Sequence, residues 1–536
     1  MTKDKKLIDM ANMREAWVLP ILFSLALAVR LYLAFHTHVI ANDGVLYVKL
    51  AQLISQGSME EVFSLHLPSL FPIMIASFQK VFLDWEFSGQ MVSVLFGSLT
   101  IIPFYFLTRD LFSKEVALFS SVLFVFHPYL ARFSAEVIKD PTFWFFSLTA
   151  IWFGWNAITR KKVWLFVLTS LLGMASFVLR TEGIFFLPIV IAWIFLKDIK
   201  SLKSNYRQRI LLAIILCLAF VVILSPVMLY IKIKTGSWNL ARSELVSEMA
   251  RADVMMDEIK KNLGKVEFES GGRDRRQADF EEIRLRGFLS LAKDHRIAII
   301  WFEAISKFLK VIHPVLVIPL FFGIVRRKNI EYRKEEELFL FSILAIFFLI
   351  LIRYGTIRAY IGTRHMIIPA LACLPWIGAG ALELADRAKK VSPFRKLNDK
   401  GNMFLRNMGW FLMVLIILIF LPKTLTPQRV EKIPLKETGI WIREHGPKDP
   451  VIMAPDGLRR IAFYANGVFL GIPRNQDLAK YVQEKQVDFL AVNIKDIGQY
   501  YPGLLASADS EYFREEVVFG NPTGPYEIKV YSVKKF

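Results

Sequence analysis

Cysteine is almost missing from this sequence; Cys217 and Cys373 are the only two. Both fall in apolar segments, which excludes a disulfide framework and a cysteine-based metal cluster and leaves two small buried residues. No Walker loop, zinc-ligand cluster or Gly-x-Ser-x-Gly elbow occurs, so nucleotide hydrolysis and serine hydrolysis lack support. Internal repeats and low-complexity tracts are missing too. Acidic residues are the scarcer charge: 48 Asp and Glu stand against 67 Lys and Arg, a formal net charge of +19. Gathered in one patch, that excess would suit nucleic acid. Here much of it lies in short loops between apolar runs, which is the positive-inside pattern of a membrane protein, so no nucleic-acid partner is expected.

What the chain has in abundance is apolar sequence. Hydrophobic residues make up 54% of it and the mean hydropathy is +0.41, more than a soluble chain of this length would hold. Runs near 16–35, 88–108, 115–134, 141–159, 163–180, 183–197, 210–232, 311–325, 337–353, 363–384 and 405–422 approach the ~20 residues that cross a bilayer, which makes about eleven spans. The first run is too long for a signal peptide core and others follow it, so it reads as a retained helix. The basic tail before it, with Lys3, Lys5, Lys6 and Arg14, holds the N-terminus in the cytoplasm. The loops around Arg109 and Lys114, Arg160 to Lys162, Lys197 to Arg209, Arg326 to Lys328 and Arg387 to Arg406 then all fall on the inner side. An odd number of spans puts the C-terminus outside. The expectation is a multi-pass protein of the cytoplasmic (inner) membrane.

The larger pieces lie on the outer side. Segments 45–56 and 67–83, the second broken by Pro68 and Pro72, are expected to lie in the membrane interface. Residues 233–296 form a polar outer loop, and 297–310 read as a further interfacial helix. After Pro422 the composition changes. Strand-like stretches at 451–454, 487–492 and 526–533 alternate with helix-like ones at 438–445 and 477–485. The expected fold class is mainly α: a polytopic membrane helix bundle over 1–423, followed by a soluble extracytoplasmic α/β domain over 424–536.

Polar residues gather at the outer ends of these spans. Asp43 follows the first span and opens an aromatic, apolar stretch. It is either a cap for a surface helix or a general base at the lipid–water boundary. Glu136, Lys139 and Asp140 stand between the third and fourth spans, where Asp140-Pro141 would also make a good helix start. Arg180 and Glu182 lie in the turn between the fifth and sixth. Arg353, Arg358 and Arg364 form a basic cluster on the side where basic residues are normally scarce. A bound anion would compensate them, and arginine's planar fork suits phosphate. Arg30, near the outer end of the first span, either snorkels to the interface or faces an internal polar site. Carboxylates and cations at one membrane face suit an anionic, lipid-linked substrate whose phosphate leaves during reaction.

In order along the chain, these residues resemble the GT-C membrane glycosyltransferases, in the branch of protein O-mannosyltransferases and lipid A aminoarabinose transferases. Arg30-Leu31-Tyr32-Leu33 ends the first span and Asp43 stands at the family's acidic motif. His66-Leu67-Pro68-Ser69-Leu70-Phe71-Pro72 is similar to a His-Pro-Pro-Leu-Tyr-Pro pattern, with different spacing. Ser88 to Phe112 resembles the second span with its Arg-Asp-Leu-Phe ending. Lys139-Asp140-Pro141 matches a later outer motif, and Arg364-His365-Met366-Ile367-Ile368-Pro369 resembles the Arg-Tyr-Leu-Leu-Pro entry to a late helix. Gly44 replaces a second acid beside the aspartate, and His365 replaces the usual tyrosine.

The resemblance, which covers roughly residues 15–385, implies an inverting transferase that takes a sugar from a polyprenyl-phosphate donor. The acceptor would be a hydroxyl or phosphate on a protein, lipid or glycan. Asp43 would be the general base, and Lys139, Arg180, Arg358 and Arg364 the phosphate ligands. Arg30, Tyr47, His66, Glu136, Asp140, Glu182 and His365 would bind substrate or support the site, and Glu136 and Asp140 could hold a divalent metal. A multi-span transporter or lipid flippase is the alternative, though it would more often place charges at mid-span and carry paired repeats.

Overall fold

The computed structural model describes residues 2–65, 69–197, 206–236, 296–325, 333–358, 361–391, 408–472, 478–495 and 513–534. Helix α1 (Thr2–Phe35) carries the first apolar run. Trp17, Ile21 and Leu25, four residues apart, are exposed along one side, whereas Leu22, Ala26 and Leu33 are buried on the other. A soluble protein would not leave such a stripe bare; lipid explains it. Three short helices follow: α2 (Asn42–Ser55), α3 (Met59–Leu65) and α4 (Leu70–Phe82), with α2 packed on α4. Helices α5 (Trp85–Leu99) and α6 (Ile101–Leu111) form one nearly continuous rod. The bundle continues through α7 (Lys114–Phe126), α8 (Pro128–Phe133), α9 (Asp140–Arg160), α10 (Val163–Leu179), α11 (Phe186–Leu196) and α12 (Tyr206–Thr235). It is completed by α13 (Arg296–Ile312), α14 (Val317–Ile324), α15 (Lys334–Arg358), α16 (Ile367–Val391) and α17 (Met408–Leu425). One large apolar core runs through these helices, with α16 almost wholly inside it.

Among the described residues, 6 stretches are long and apolar enough to cross a bilayer, or up to 7 if the broken pair Ile300–Ile312 and Pro314–Ile324 is one span. That is fewer than the about eleven that apolar runs suggest at ~20 residues each. The segments at 163–180 and 183–197 form only shorter apolar helices. The segment at 311–325 is divided. The chain turns by 87° between α13 and α14. His313 adopts φ 77 there, ahead of Pro314. Proline pushes the residue before it out of the helical region, so the helix cannot run on.

The C-terminal part folds as α18 (Ile433–His445), α19 (Arg460–Tyr464) and α20 (Leu478–Glu484) around a sheet. Strands β1 (Val451–Ala454), β2 (Val468–Gly471), β3 (Phe489–Asn493), β4 (Phe513–Gly520) and β5 (Glu527–Val533) lie in the order β2-β1-β3-β5-β4. The β2-β1-β3 part is parallel and the β3-β5-β4 part antiparallel. Residues of β1, β3 and β5 serve apolar clusters on both faces of the sheet. The two strands that hydropathy passes over, β2 and β4, are the edges. Strand β4 exposes Arg514, Glu515 and Glu516, the usual way of making an edge unattractive to other strands.

Candidate active site

Helix α2 starts at Asn42, and the residue before it, Ala41, makes no side-chain cap. Asp43 therefore sits in the first turn rather than at the cap. Its Oδ2 accepts a hydrogen bond from Arg364 Nη1 at 2.5 Å. Arg364 lies in the turn Thr363–Met366 that leads into α16. The side chains of Arg364 and Asp43 remain 37% and 40% exposed, so a substrate can reach both. Burial acts to raise the Asp43 carboxyl. The charge and hydrogen bond of Arg364, then the charges of Lys139 and Arg180, outweigh it and hold the group below its ordinary value.

Close packing brings the loop between α8 and α9 to this carboxylate. A Cβ on Gly44 would lie 2.9 Å from Val137 Cβ and from the Val137 carbonyl oxygen. One on Gly89, in α5, would lie 2.5 Å from Val137 Cγ1. Val137 thus fills a notch between two glycines, and Ser93 Oγ donates to the Ile138 carbonyl at 3.0 Å. Gly44 is what allows this approach; a second acid at that position would not fit without moving the loop.

The loop delivers Lys139 and Asp140. Asp140 is the first residue of α9, yet its carboxylate is spent on Arg180, whose Nη1 donates to Oδ1 at 2.6 Å. Arg180 Nη2 donates to Glu182 Oε1 at 2.8 Å. Burial acts to raise Glu182, but the charge and hydrogen bond of Arg180 pull it down to about 2. Burial also lowers Arg180, and its two carboxylates more than reverse that. Arg180 is therefore a neutralised strut between α9 and α10. Lys139 differs. Among the described residues it has no ion pair within 4.0 Å, and its Nζ lies 5.9 Å from the ring centre of Tyr47, one helical turn beyond Asp43. Burial, then the charge of Arg180, push Lys139 down to about 8 against the opposing pull of Asp140, Glu182 and Asp43. A cleft opens beside these groups, lined by some of them. Asp140, Arg180, Glu182, Arg364 and His365 line its polar side, and Phe347 and Leu351 of α15 are among its apolar walls. His365 is buried there, its Nδ1 accepting the Gly362 N–H at 3.2 Å and its ring edge-on to Tyr354.

Several expected residues stand elsewhere. Glu136 accepts from Arg132 at 3.3 Å and from Arg429 at 2.5 Å. It belongs to a separate ion cluster and does not line the cleft. Glu136 and Asp140 are thus each taken by arginine in different places, and no group of three or more His, Cys, Asp or Glu side chains gathers among the described residues. The pair does not fit a divalent metal. Arg30 neither snorkels nor reaches the cleft. It is fully buried against the Phe124 ring and donates to the Ala26 carbonyl at 3.1 Å. His66 and the side chain of Arg358 lie outside the described residues; the backbone of α15 ends at Arg358. Sequence reading missed Arg429, which follows the last membrane helix and looks there like one more surface charge.

Residues 66–230 match the family model of dolichyl-phosphate-mannose-protein mannosyltransferases. ArnT from Cupriavidus metallidurans, bound to undecaprenyl phosphate, superposes with a TM-score of 0.56 at 14% identity, over 97% of this chain and 98% of that one. The chain has a GT-C fold. The oligosaccharyltransferase of Archaeoglobus fulgidus is similar at a TM-score of 0.53 and 14% identity, over 97% of this chain and 74% of that one. The same archaeal enzyme, AglB, in complex with an inhibitory peptide and a dolichol-phosphate gives 0.52 at 12% identity over the same shares. No curated protein matches the sequence. The GT-C resemblance drawn from the motifs is borne out at the level of the fold of this multi-pass membrane chain.

Proposed function

We propose that the protein transfers a sugar from a polyprenyl-phosphate donor to an acceptor hydroxyl or phosphate at the outer face of the cytoplasmic membrane, with inversion at the sugar. The observation that carries this reading is the exposed Asp43–Arg364 pair, whose arginine lines a cleft with one polar and one apolar side. The apolar wall suits the prenyl chain and the polar floor its phosphate. Lys139 is the cation left to take that phosphate, together with the guanidinium nitrogens of Arg364 that do not face Asp43.

In the empty site Arg364 holds Asp43 ionised but a weak base. A donor phosphate competing for Arg364 loosens that grip and raises the carboxylate's basicity. The acceptor O–H then gives its proton to Asp43 while the acceptor oxygen attacks the sugar C1. The bond from C1 to the phosphate oxygen breaks, and the polyprenyl phosphate leaves with the electron pair, its charge met by Lys139 and Arg364. Arg180 keeps Asp140 and Glu182 in place and binds no phosphate directly. The matched mannosyltransferase model and the lipid phosphates bound by the two similar structures support this donor class.

The test is transfer from labelled polyprenyl-phosphate sugars to a panel of acceptors by the purified full chain. Arg364→Ala should weaken donor binding and transfer by about 10-fold or more, and Arg364→Lys should restore only part, since a point charge cannot replace the fork. Wild-type donor affinity and rate in Arg364→Ala would remove the phosphate role.

A further inference from the structure

We infer that the C-terminal domain is a positioning device for the proposed base, acting through a clamp on the backbone of Ile40; this rests on Asp43 being that base. Ile40 lies three residues before Asp43 and is buried, as are Arg460 and Tyr464. Its N–H donates to Tyr464 Oη at 2.8 Å. Its carbonyl accepts from Arg460 Nε at 2.9 Å and from Arg429 Nη1 at 3.1 Å. Both backbone polar groups of one residue are thus held by the chain that follows the last membrane helix. Tyr464 is anchored in turn, since its hydroxyl donates to Glu86 Oε1, at the start of α5, at 3.1 Å.

The clamp reaches both halves of the site. Arg429, with the left-handed φ of 61, spends Nη2 on Glu136 at 2.5 Å while Nη1 holds Ile40. Glu136 lies in the loop that carries Lys139 and leads to Asp140. One guanidinium therefore ties the residues before the base to the residues before the lysine. The link is reinforced along the backbone. Gln428 N donates to the His36 carbonyl at 2.9 Å and His38 N to the Gln428 carbonyl at 3.2 Å. Ala41 follows the clamped residue directly, and its carbonyl accepts the Val45 N–H at 3.3 Å to open α2. Fixing Ile40 fixes where that helix begins, and so where Asp43 points. Charged hydrogen bonds to a buried carbonyl hold their geometry better than neutral ones.

Such a device is worth having because a shift of about 1 Å in a reacting group can cost on the order of 100-fold in rate. Tyr464→Phe and Arg460→Leu each remove one arm of the clamp from the full chain. Hydrogen exchange needs no donor, so it tests the clamp even if the transferase reading fails. Exchange should speed up at Ile40 and through the first turn of α2 in both variants, while β1, β3 and β5 stay as protected as in wild type. In the transfer assay kcat should fall about 10-fold with the donor KM within about 2-fold, and Arg460→Lys should recover more rate than Arg460→Leu. Unchanged exchange at Ile40 would show that no clamp operates. Faster exchange with wild-type kcat would show that the clamp does not position the base. Loss of sheet protection would reduce the domain to a general stabiliser. Either of the last two outcomes also overturns the proposal.

Discussion

Lys139 and Arg180 look alike in the sequence, two cations beside acids at the outer end of the bundle, yet the structure gives them opposite duties. Arg180 is held by two carboxylates, which occupy two of its guanidinium nitrogens. Lys139 is half-buried, unpaired among the described residues, and depressed to about 8 by burial and by the nearness of Arg180. That gives a pH signature. The lysine must be protonated to bind a phosphate, so donor affinity should hold below pH 8. Above that it should fall, by up to about tenfold per unit, as the empty site loses its proton. Lys139→Arg stays charged across this window and should flatten the profile, which donor titrations between pH 7 and 9.5 would read. Sequence reading found both cations but could not sort them. The partner that silences Arg180 is Asp140, forty residues away, which reads locally as a helix cap. The same limit applies at Glu136 and Asp140, four positions apart and in different ion clusters. It applies to Arg30 as well, where nothing local distinguishes a buried stacking role from a ligand.

At the level of elements, the site depends on how closely α2 approaches the loop before α9. Val137 enters a notch made by Gly44 and Gly89, and a methyl group on Gly44 would lie 2.9 Å from two of its atoms. Gly44→Ala should therefore push the loop and α2 apart, costing about 1–3 kcal/mol of stability as overpacking usually does. Transfer should fall by more than that loss of folded protein explains, because Asp43 and Lys139 are carried on the two elements that separate. Thermal melting beside transfer rate would check it, and a silent Gly44→Ala would mean the notch has slack. The helices themselves were legible from hydropathy, because burial and lipid exposure both demand apolar faces. Their breaks were less so. The turn at His313 was hidden inside a run that reads as one span, and α2 and α4 are visible as separate only through Pro68, Pro72 and the polar residues between them.

For the whole molecule, the inner basic loops predict the threading. A cysteine placed at Lys161 should be shielded from a membrane-impermeant thiol reagent in intact cells, while one at Asp449 should label readily. The reverse pattern would put the cleft on the wrong side for a lipid-linked donor. The change in composition near Pro422 falls where the long helices give way to the stretch that carries the sheet. The joint between the two could not be read from the sequence, since Tyr464 meets Ile40 across 424 positions, nor could the pairing within the bundle of Arg364 with Asp43 across 321. Such pairings are set by the assembled fold and leave no local pattern. The central claim concerns that last pair, and one substitution addresses it. Asp43→Asn keeps the size of the side chain and can still accept a hydrogen bond from Arg364, but it takes no proton at neutral pH. Measured with a polyprenyl-phosphate sugar donor, Asp43→Asn should lose on the order of 100-fold or more in transfer rate, with donor binding and thermal stability little changed. A rate within a few-fold of wild type would contradict the assignment of Asp43 as the base.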